Sequence, residues 1–157
     1  MIIELNLNLI EQTATLLVDF FHELQVDTND VYFQCDNIPI DRIKILLSEI
    51  NCDENSIGYL VLNDDIPIGF ILGQIKENIF PFSNIPKVGY LLGAYIKKEH
   101  RNKGIMGLLE NKLMDFFKTK NIDYVDLNVL SENKSGKKSW EKLGYSTFRE
   151  QMRKKIK

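Results

Sequence analysis

Thr13, Leu16, Leu17, Phe20, Phe21 and Leu24 recur three and four residues apart, the stripe of an amphipathic helix with one buried face. Ile43, Leu46, Leu47 and Ile50 repeat the pattern over a shorter helix that ends near Asn51. Between them, Asp27 to Pro39 has turn character and reads as a loop. Met1 to Leu5 alternates and reads as a first strand. Gly58 to Leu62 and Ile66 to Ile75 flank the turn-forming Asn63-Asp64-Asp65, so they read as a hairpin. Asn78 to Lys87 interrupts the pattern with Pro81 and Pro86, and its Phe80 and Phe82 suit a loop on the substrate side. Val88 to Ile96 is again strand-like. Ile105, Leu108, Leu109, Leu113, Phe116 and Phe117 then mark a long helix to about Lys118. A strand from Tyr124 to Leu130, a short helix from about Lys134 and a last strand from Thr147 to Ile156 complete the order. That order predicts a mixed α/β, or α+β, fold.

One connection is chemically suggestive. The run Arg101-Asn102-Lys103-Gly104-Ile105-Met106-Gly107 joins a strand to a helix. Such a turn presents backbone N–H groups at a helix N-terminus, where the dipole adds positive potential; both favour a phosphate. Glycine leaves no Cβ to hold the anion away. Lys97, Lys98, Arg101 and Lys103 face only Glu99 here, although the chain carries a net charge of −2.

Composition narrows the classes. At 157 residues, length predicts one domain, 1–157, large enough to bury a sizeable core. The slightly acidic balance argues against a nucleic-acid partner. No apolar run approaches the roughly 20 residues of a membrane span. Met1 to Leu7 lacks the basic-then-apolar order of a signal peptide, and Cys35 and Cys52 show no metal spacing. The expectation is a cytoplasmic protein with reduced thiols, no metal and no membrane partner. The Asn/Ile/Lys-rich composition hints at an AT-rich bacterial genome.

A second cluster gives the loop a context. Asn133, Gly136, Trp140, Gly144 and Tyr145 follow the Tyr124 strand. Together the two clusters resemble the GNAT superfamily of N-acetyltransferases. That family carries [Q/R]-x-x-G-x-[G/A] at the pyrophosphate loop, matched here by Arg101 and Gly104, with Met106 at the last small position. Its later signature, N-x-x-A-x-x-x-Y-x-x-x-G-F, falls on Asn133, Gly136, Trp140, Gly144 and Tyr145, with Gly for Ala, Trp for Tyr and Tyr for Phe.

The resemblance implies a central, mostly antiparallel sheet with a splayed parallel pair and about four helices. It also implies acetyl-CoA as cosubstrate. Tyr95 and Ile96 would pair with the pantetheine arm through their backbone. Arg101, Asn102, Lys103, Gly104, Ile105, Met106 and Gly107 would surround the phosphates, with Asn133 and Trp140 further along the cofactor. The activity implied is transfer of an acetyl group to a primary amine of a small molecule or peptide by direct attack on the thioester. The family often pairs subunits through C-terminal strands, so a homodimer built on the Thr147–Ile156 edge is expected.

Two departures bear on catalysis. Met106 crowds a position where the backbone must approach pyrophosphate, and Gly107 eases it. Trp140 stands where the family's Tyr is often the general acid, and an indole N–H does not serve as a proton donor in the useful range. The alternative reading is therefore a CoA-binding module with little catalysis, acting as a sensor or interaction protein. No general base is marked. Asp126 and Asn128, two apart on one strand face, are the catalytic candidates, Asp126 as a base and Asn128 as a hydrogen-bonding group in the cleft, although solvated strand positions are the commoner explanation of such residues. The acids Asp27, Asp30, Asp36 and Glu77 in and beside the two loops favour a cationic acceptor.

Overall fold

The computed structural model describes residues 1–157. Its strands are β1 (Ile2–Glu4), β2 (Ser56–Asn63), β3 (Ile66–Glu77), β4 (Lys87–Ile96) and β5 (Val125–Leu127). Its helices are α1 (Ile10–Thr28), α2 (Ile40–Cys52), α3 (Ile105–Thr119) and α4 (Lys134–Lys142). The five strands lie side by side in chain order; β1 to β4 are antiparallel, and β4 and β5 are parallel. A parallel neighbour needs a crossover, and α3 supplies it.

Each helix covers the face its stripe requires. Leu16 and Leu17 of α1 and Ile43, Leu47 and Ile50 of α2 pack on one side of the sheet with Leu60, Phe70, Leu72 and Tyr95. Leu109, Leu113 and Phe117 of α3 pack on the other with Val61, Ile71, Leu91 and Ile96. Leu46 and Leu108, read as parts of those stripes, are largely exposed at the edges of the two faces. Gly73 and Gly89 let α3 lie close to the sheet. A Cβ on Gly89 would stand 2.8–2.9 Å from the Phe117 ring, and one on Gly73 would stand 2.4 Å from Leu113 Cδ1. The hairpin turns at Asp64 and Asp65, both at positive φ (49° and 63°). No helix is long and apolar enough to cross a membrane.

Two features of the sheet shape the site. Leu72 pairs with Gly93 and Gly73 with Leu91, so Leu92 is left out of the ladder as a bulge. The β4–β5 pairing runs only from Gly89↔Val125 to Leu91↔Leu127. Beyond Leu91 the two strands part. The flank of β4 that faces away from β3, from Leu92 to Ile96, has no strand beside it.

The C-terminal region differs from the sequence reading. The strand read from Tyr124 to Leu130 is only three residues long, because the chains diverge at the splay. The strand read from Thr147 to Ile156 does not form, and those residues belong to no strand or helix. No backbone hydrogen bond outside the regular elements involves any residue from 146 to 157. Alternation alone is insufficient for a strand: Phe148, Met152 and Ile156 are exposed rather than turned to a core, so no buried face fixes a register. The edge on which a dimer was expected is therefore absent from the sheet.

Candidate active site

Gly104 caps the N-terminus of α3 at φ 74°, and Asn102 is also left-handed at φ 61°. No side chain caps this helix. None of the six consecutive backbone N–H groups from Asn102 to Gly107 has an acceptor within the chain; the first helical bond is donated by Leu108 N–H to the Gly104 carbonyl. A row of free donors at the positive end of a 15-residue helix is an anion cradle. A Cβ built on Gly104 meets nothing within 4 Å, so the mouth of the cradle is open.

Arg101 holds this loop from behind. Its Nε donates to the Ile96 carbonyl at 2.8 Å, and its NH2 meets Glu23 Oε1 at 2.7 Å. Glu23 is on α1, and Lys98 Nζ approaches its other oxygen at 3.9 Å. The guanidinium also lies over the Tyr95 ring, 5.4 Å from its centre. Arg101 therefore ties the end of β4 to α1, and its charge is largely matched by Glu23. The Tyr95 side chain is buried against Phe20 and Phe70. Burial, then the Glu23 carboxylate, push its phenol up to about 12, while Arg101 opposes. Ile96 is buried on the α3 side.

Lys103 Nζ donates to the Glu99 carbonyl at 3.2 Å. Ile105 and Met106 are half-buried against the α3-side core, so the Met106 side chain is directed to packing, leaving its N–H in the row. Gly107 faces α4: a Cβ there would be 3.7 Å from Leu143.

α4 and the residues after it lie beside α3. Asn133 caps α4, its Oδ1 accepting from Gly136 N–H at 2.9 Å. A Cβ on Gly136 would lie 2.6 Å from Asn133 Nδ2, which accounts for glycine at this position. Trp140 is half-buried against the α3-side core and meets Tyr145 edge to face, with ring centres 5.6 Å apart. Tyr145 Oη and Glu110 Oε1 of α3 are 3.4 Å apart. Burial raises the Glu110 carboxyl, and burial together with the Glu110 charge pushes the Tyr145 phenol far above its ordinary value. Glu110 is a buried acid the sequence reading did not single out; its place beside Leu109 in an apolar stripe was the available signal.

The two catalytic candidates, Asp126 and Asn128, sit at the fork of the sheet. Asp126 pairs with Tyr90 across β4 and β5, one residue before the strands part. Burial raises its carboxyl above its ordinary value, with Arg149 of the C-terminal segment opposing. Burial also raises Tyr90, with Arg149 and Asn128 opposing. Lys76 Nζ lies 4.0 Å from the centre of the Tyr90 ring. The structure thus brings Tyr90, Asp126 and Asn128 together at the splay. No group of three or more His, Cys, Asp or Glu side chains is placed to hold a metal.

Comparison with known proteins matches this arrangement to a family. The sequence profile of the acetyltransferase (GNAT) family matches residues 17–145, most of the chain. No curated protein matches in sequence. Among solved structures, an aminoglycoside 6'-N-acetyltransferase from Acinetobacter haemolyticus has a TM-score of 0.79 at 13% identity, covering 100% of this chain and 98% of that one. A four-fold mutant of a Bacillus halodurans protein gives 0.84 at 16% identity, with 99% of each chain covered. A predicted acetyltransferase from Clostridium acetobutylicum, solved with acetyl-CoA, gives 0.76 at 15% identity over 99% of this chain and 96% of that one. These likenesses concern the fold, while the profile match identifies the lineage. The chain belongs to the GNAT family of N-acetyltransferases, whose acetyl donor is acetyl-CoA.

Proposed function

We propose that this chain acetylates a primary amine on a cationic small molecule or peptide, with the donor lying along β4 and across the start of α3. The row of free N–H groups from Asn102 to Gly107, beside the open flank of β4, carries this reading. The donor supplies an activated acetyl thioester. Asn102, Lys103, Gly104, Ile105, Met106 and Gly107 hold its pyrophosphate through backbone N–H groups. Arg101 keeps the loop in place through Glu23 and the Ile96 carbonyl. The flank of β4 at Tyr95 and Ile96 that has no strand beside it receives the pantetheine amides. Asn133 and Trp140 line the far wall.

An amine must be neutral to attack. Asp126, with its carboxyl raised by burial at the fork of the sheet, is the base in this reading, and Asn128 orients the amine beside it. Trp140 cannot protonate the departing thiolate, so water does. The acids of the loops around Asp30 and Glu77 favour a cationic acceptor, and several structures of similar fold are aminoglycoside acetyltransferases. A homodimer, a cytoplasmic location and a single-domain chain belong to the same reading. The dimer draws its support from the open edge of β5 and from exposed Phe148, Met152 and Ile156.

Calorimetric titration with acetyl-CoA, followed by thiol release over a panel of mono- and polyamines, tests the proposal. Micromolar binding with turnover of at least one cationic amine is expected. Binding without thiol release from any amine would leave a CoA-binding module and refute the acetyl-transfer reading.

A further inference from the structure

The last residues of the chain are placed by side chains alone. After Tyr145, whose N–H bonds to the Trp140 carbonyl, residues 146–157 add no backbone hydrogen bond to the fold. What holds them is Arg153. Its NH1 donates to Asp30 Oδ1 at 2.8 Å, its NH2 bonds the other carboxylate oxygen, and its guanidinium lies 4.3 Å from the centre of the Tyr32 ring.

The receiving end of this clasp is organised by hydrogen bonds of its own. Asn29 ends α1 in a left-handed conformation at φ 48°, turning the chain so that Asp30 and Tyr32 follow at once. Asp30 Oδ1 accepts the Tyr32 N–H at 2.9 Å, and the Thr28 hydroxyl accepts the Asp30 N–H at 3.4 Å. The Asp30 side chain is only 14% exposed, while that of Arg153 is 41% exposed. A fixed carboxylate fork beside an aromatic face suits any guanidinium or ammonium group.

Asp126 faces the same side of the sheet as α1, because its neighbours Val125 and Leu127 turn to the α3-side core. The positive charge of Arg149 acts on Asp126 and Tyr90. Arg149 and Arg153 are four residues apart, about 13 Å if extended. The segment therefore carries one cation to Asp30 and a second whose charge is felt at Asp126. Its apolar residues play no part in seating it: Phe148, Met152 and Ile156 are 67%, 93% and 91% exposed.

We propose that residues 146–157 form a displaceable strap, and that Asp30 and Tyr32 are a cation subsite for the acceptor which Arg153 occupies until the acceptor takes its place. This rests on the reading above, in which the acceptor enters on the Asp126 side. The acceptor class that fits is an amine bearing a second ammonium or guanidinium group, whether on a polyamine, an aminosugar or a basic peptide. A strap seated about nine-tenths of the time raises the apparent dissociation constant of such an acceptor about tenfold.

The test uses the full chain loaded with CoA, with spermidine as the probe. Amide signals of residues 146–157 in the isotope-labelled protein are followed as spermidine is added. The strap signals are expected to shift toward unstructured positions, with butylamine, which has one amine, producing no shift. Arg153→Met is expected to show the released spectrum without any ligand and to lower KM for spermidine about tenfold, with kcat moving less; Arg153→Lys restores part of the seated state. Asp30→Asn is expected to weaken spermidine binding in the Arg153→Met background. Strap signals that ignore spermidine, together with an unchanged or raised KM in Arg153→Met, would overturn the proposal. Release of the strap by spermidine in a protein that acetylates nothing would support the subsite while refuting the enzymatic reading.

Discussion

Gly104→Val separates the backbone cradle from every other explanation of donor binding. At φ 74° the left-handed conformation costs an L residue about 1–2 kcal/mol, and more for a β-branched one. A Cβ at this position meets nothing within 4 Å, so no steric clash contributes in the unliganded protein. The variant has two options. It can hold the left-handed turn and lose about 1–2 kcal/mol of stability while its side chain stands in the open mouth of the cradle. Or it can relax, turning N–H groups away from the phosphates. Each hydrogen bond to a charged group contributes about 1.5–3 kcal/mol, so losing one weakens binding about 10- to 150-fold. Starting from micromolar affinity, about −8 kcal/mol, the variant should bind acetyl-CoA with a dissociation constant of tens of micromolar or weaker. Calorimetric titration measures it, with circular dichroism and denaturant unfolding as the folding control. A folded Gly104→Val protein that binds within about threefold of the parent would refute the cradle.

Other outcomes follow from the same geometry. Trp140→Tyr places a phenol where the family has its acid and should keep the fold and raise turnover by up to about 10²; loss of activity in Trp140→Phe with no gain in Trp140→Tyr would instead give the indole its own role. Gly89→Ala drives a methyl into the Phe117 ring and should destabilise the protein by about 1–3 kcal/mol in urea unfolding, with a change within 0.5 kcal/mol (about the effect of a neutral surface substitution) refuting the close packing of α3. The Asp30 carboxyl is held at about 2, below its usual 3.8, chiefly by its hydrogen bonds to Arg153 and then to the Tyr32 N–H. A depressed carboxyl stabilises the clasp fully above about pH 4 and ceases to as pH falls through about 2. The strap amide signals should therefore hold their seated positions at pH 4.5 and lose them only on approach to pH 2.

The legible parts of this chain were those in which one pattern had one reading. Helical stripes in α1 and α3 and the Asp64-Asp65 turn located their elements to within a few residues, because burial of one face dictates the period. Gly104 marked the loop because its backbone conformation is one that L side chains avoid. What stayed illegible depends on partners distant in sequence. Nothing in the sequence marks Glu23, whose role appears only when α1 is laid beside Arg101, 78 residues later. Asp30 looked like one acid among several, and only the fold brings Arg153 to it. The segment from Thr147 to Ile156 shows the converse error: alternation is a local signal, but a strand needs a neighbour to complete its ladder. The length of β5 was equally unreadable, since a splay is a property of two strands.

The six free N–H groups at the start of α3 have a consequence for the folded state itself. Donors with no partner in the chain are satisfied by water until an anion arrives, and a ligand that binds only the folded protein raises its stability. With micromolar affinity, acetyl-CoA at 100 times its dissociation constant adds about 2.7 kcal/mol, a large part of the 5–15 kcal/mol that holds a typical domain together. With the donor bound as proposed, the melting temperature of this protein depends on the solution as much as on the sequence. Phosphate or sulfate in a buffer would occupy part of the same cradle, raising apparent stability while weakening apparent donor affinity. Variants along the loop change both quantities at once, so their stabilities compare cleanly only in buffers free of oxyanions, or with the donor saturating.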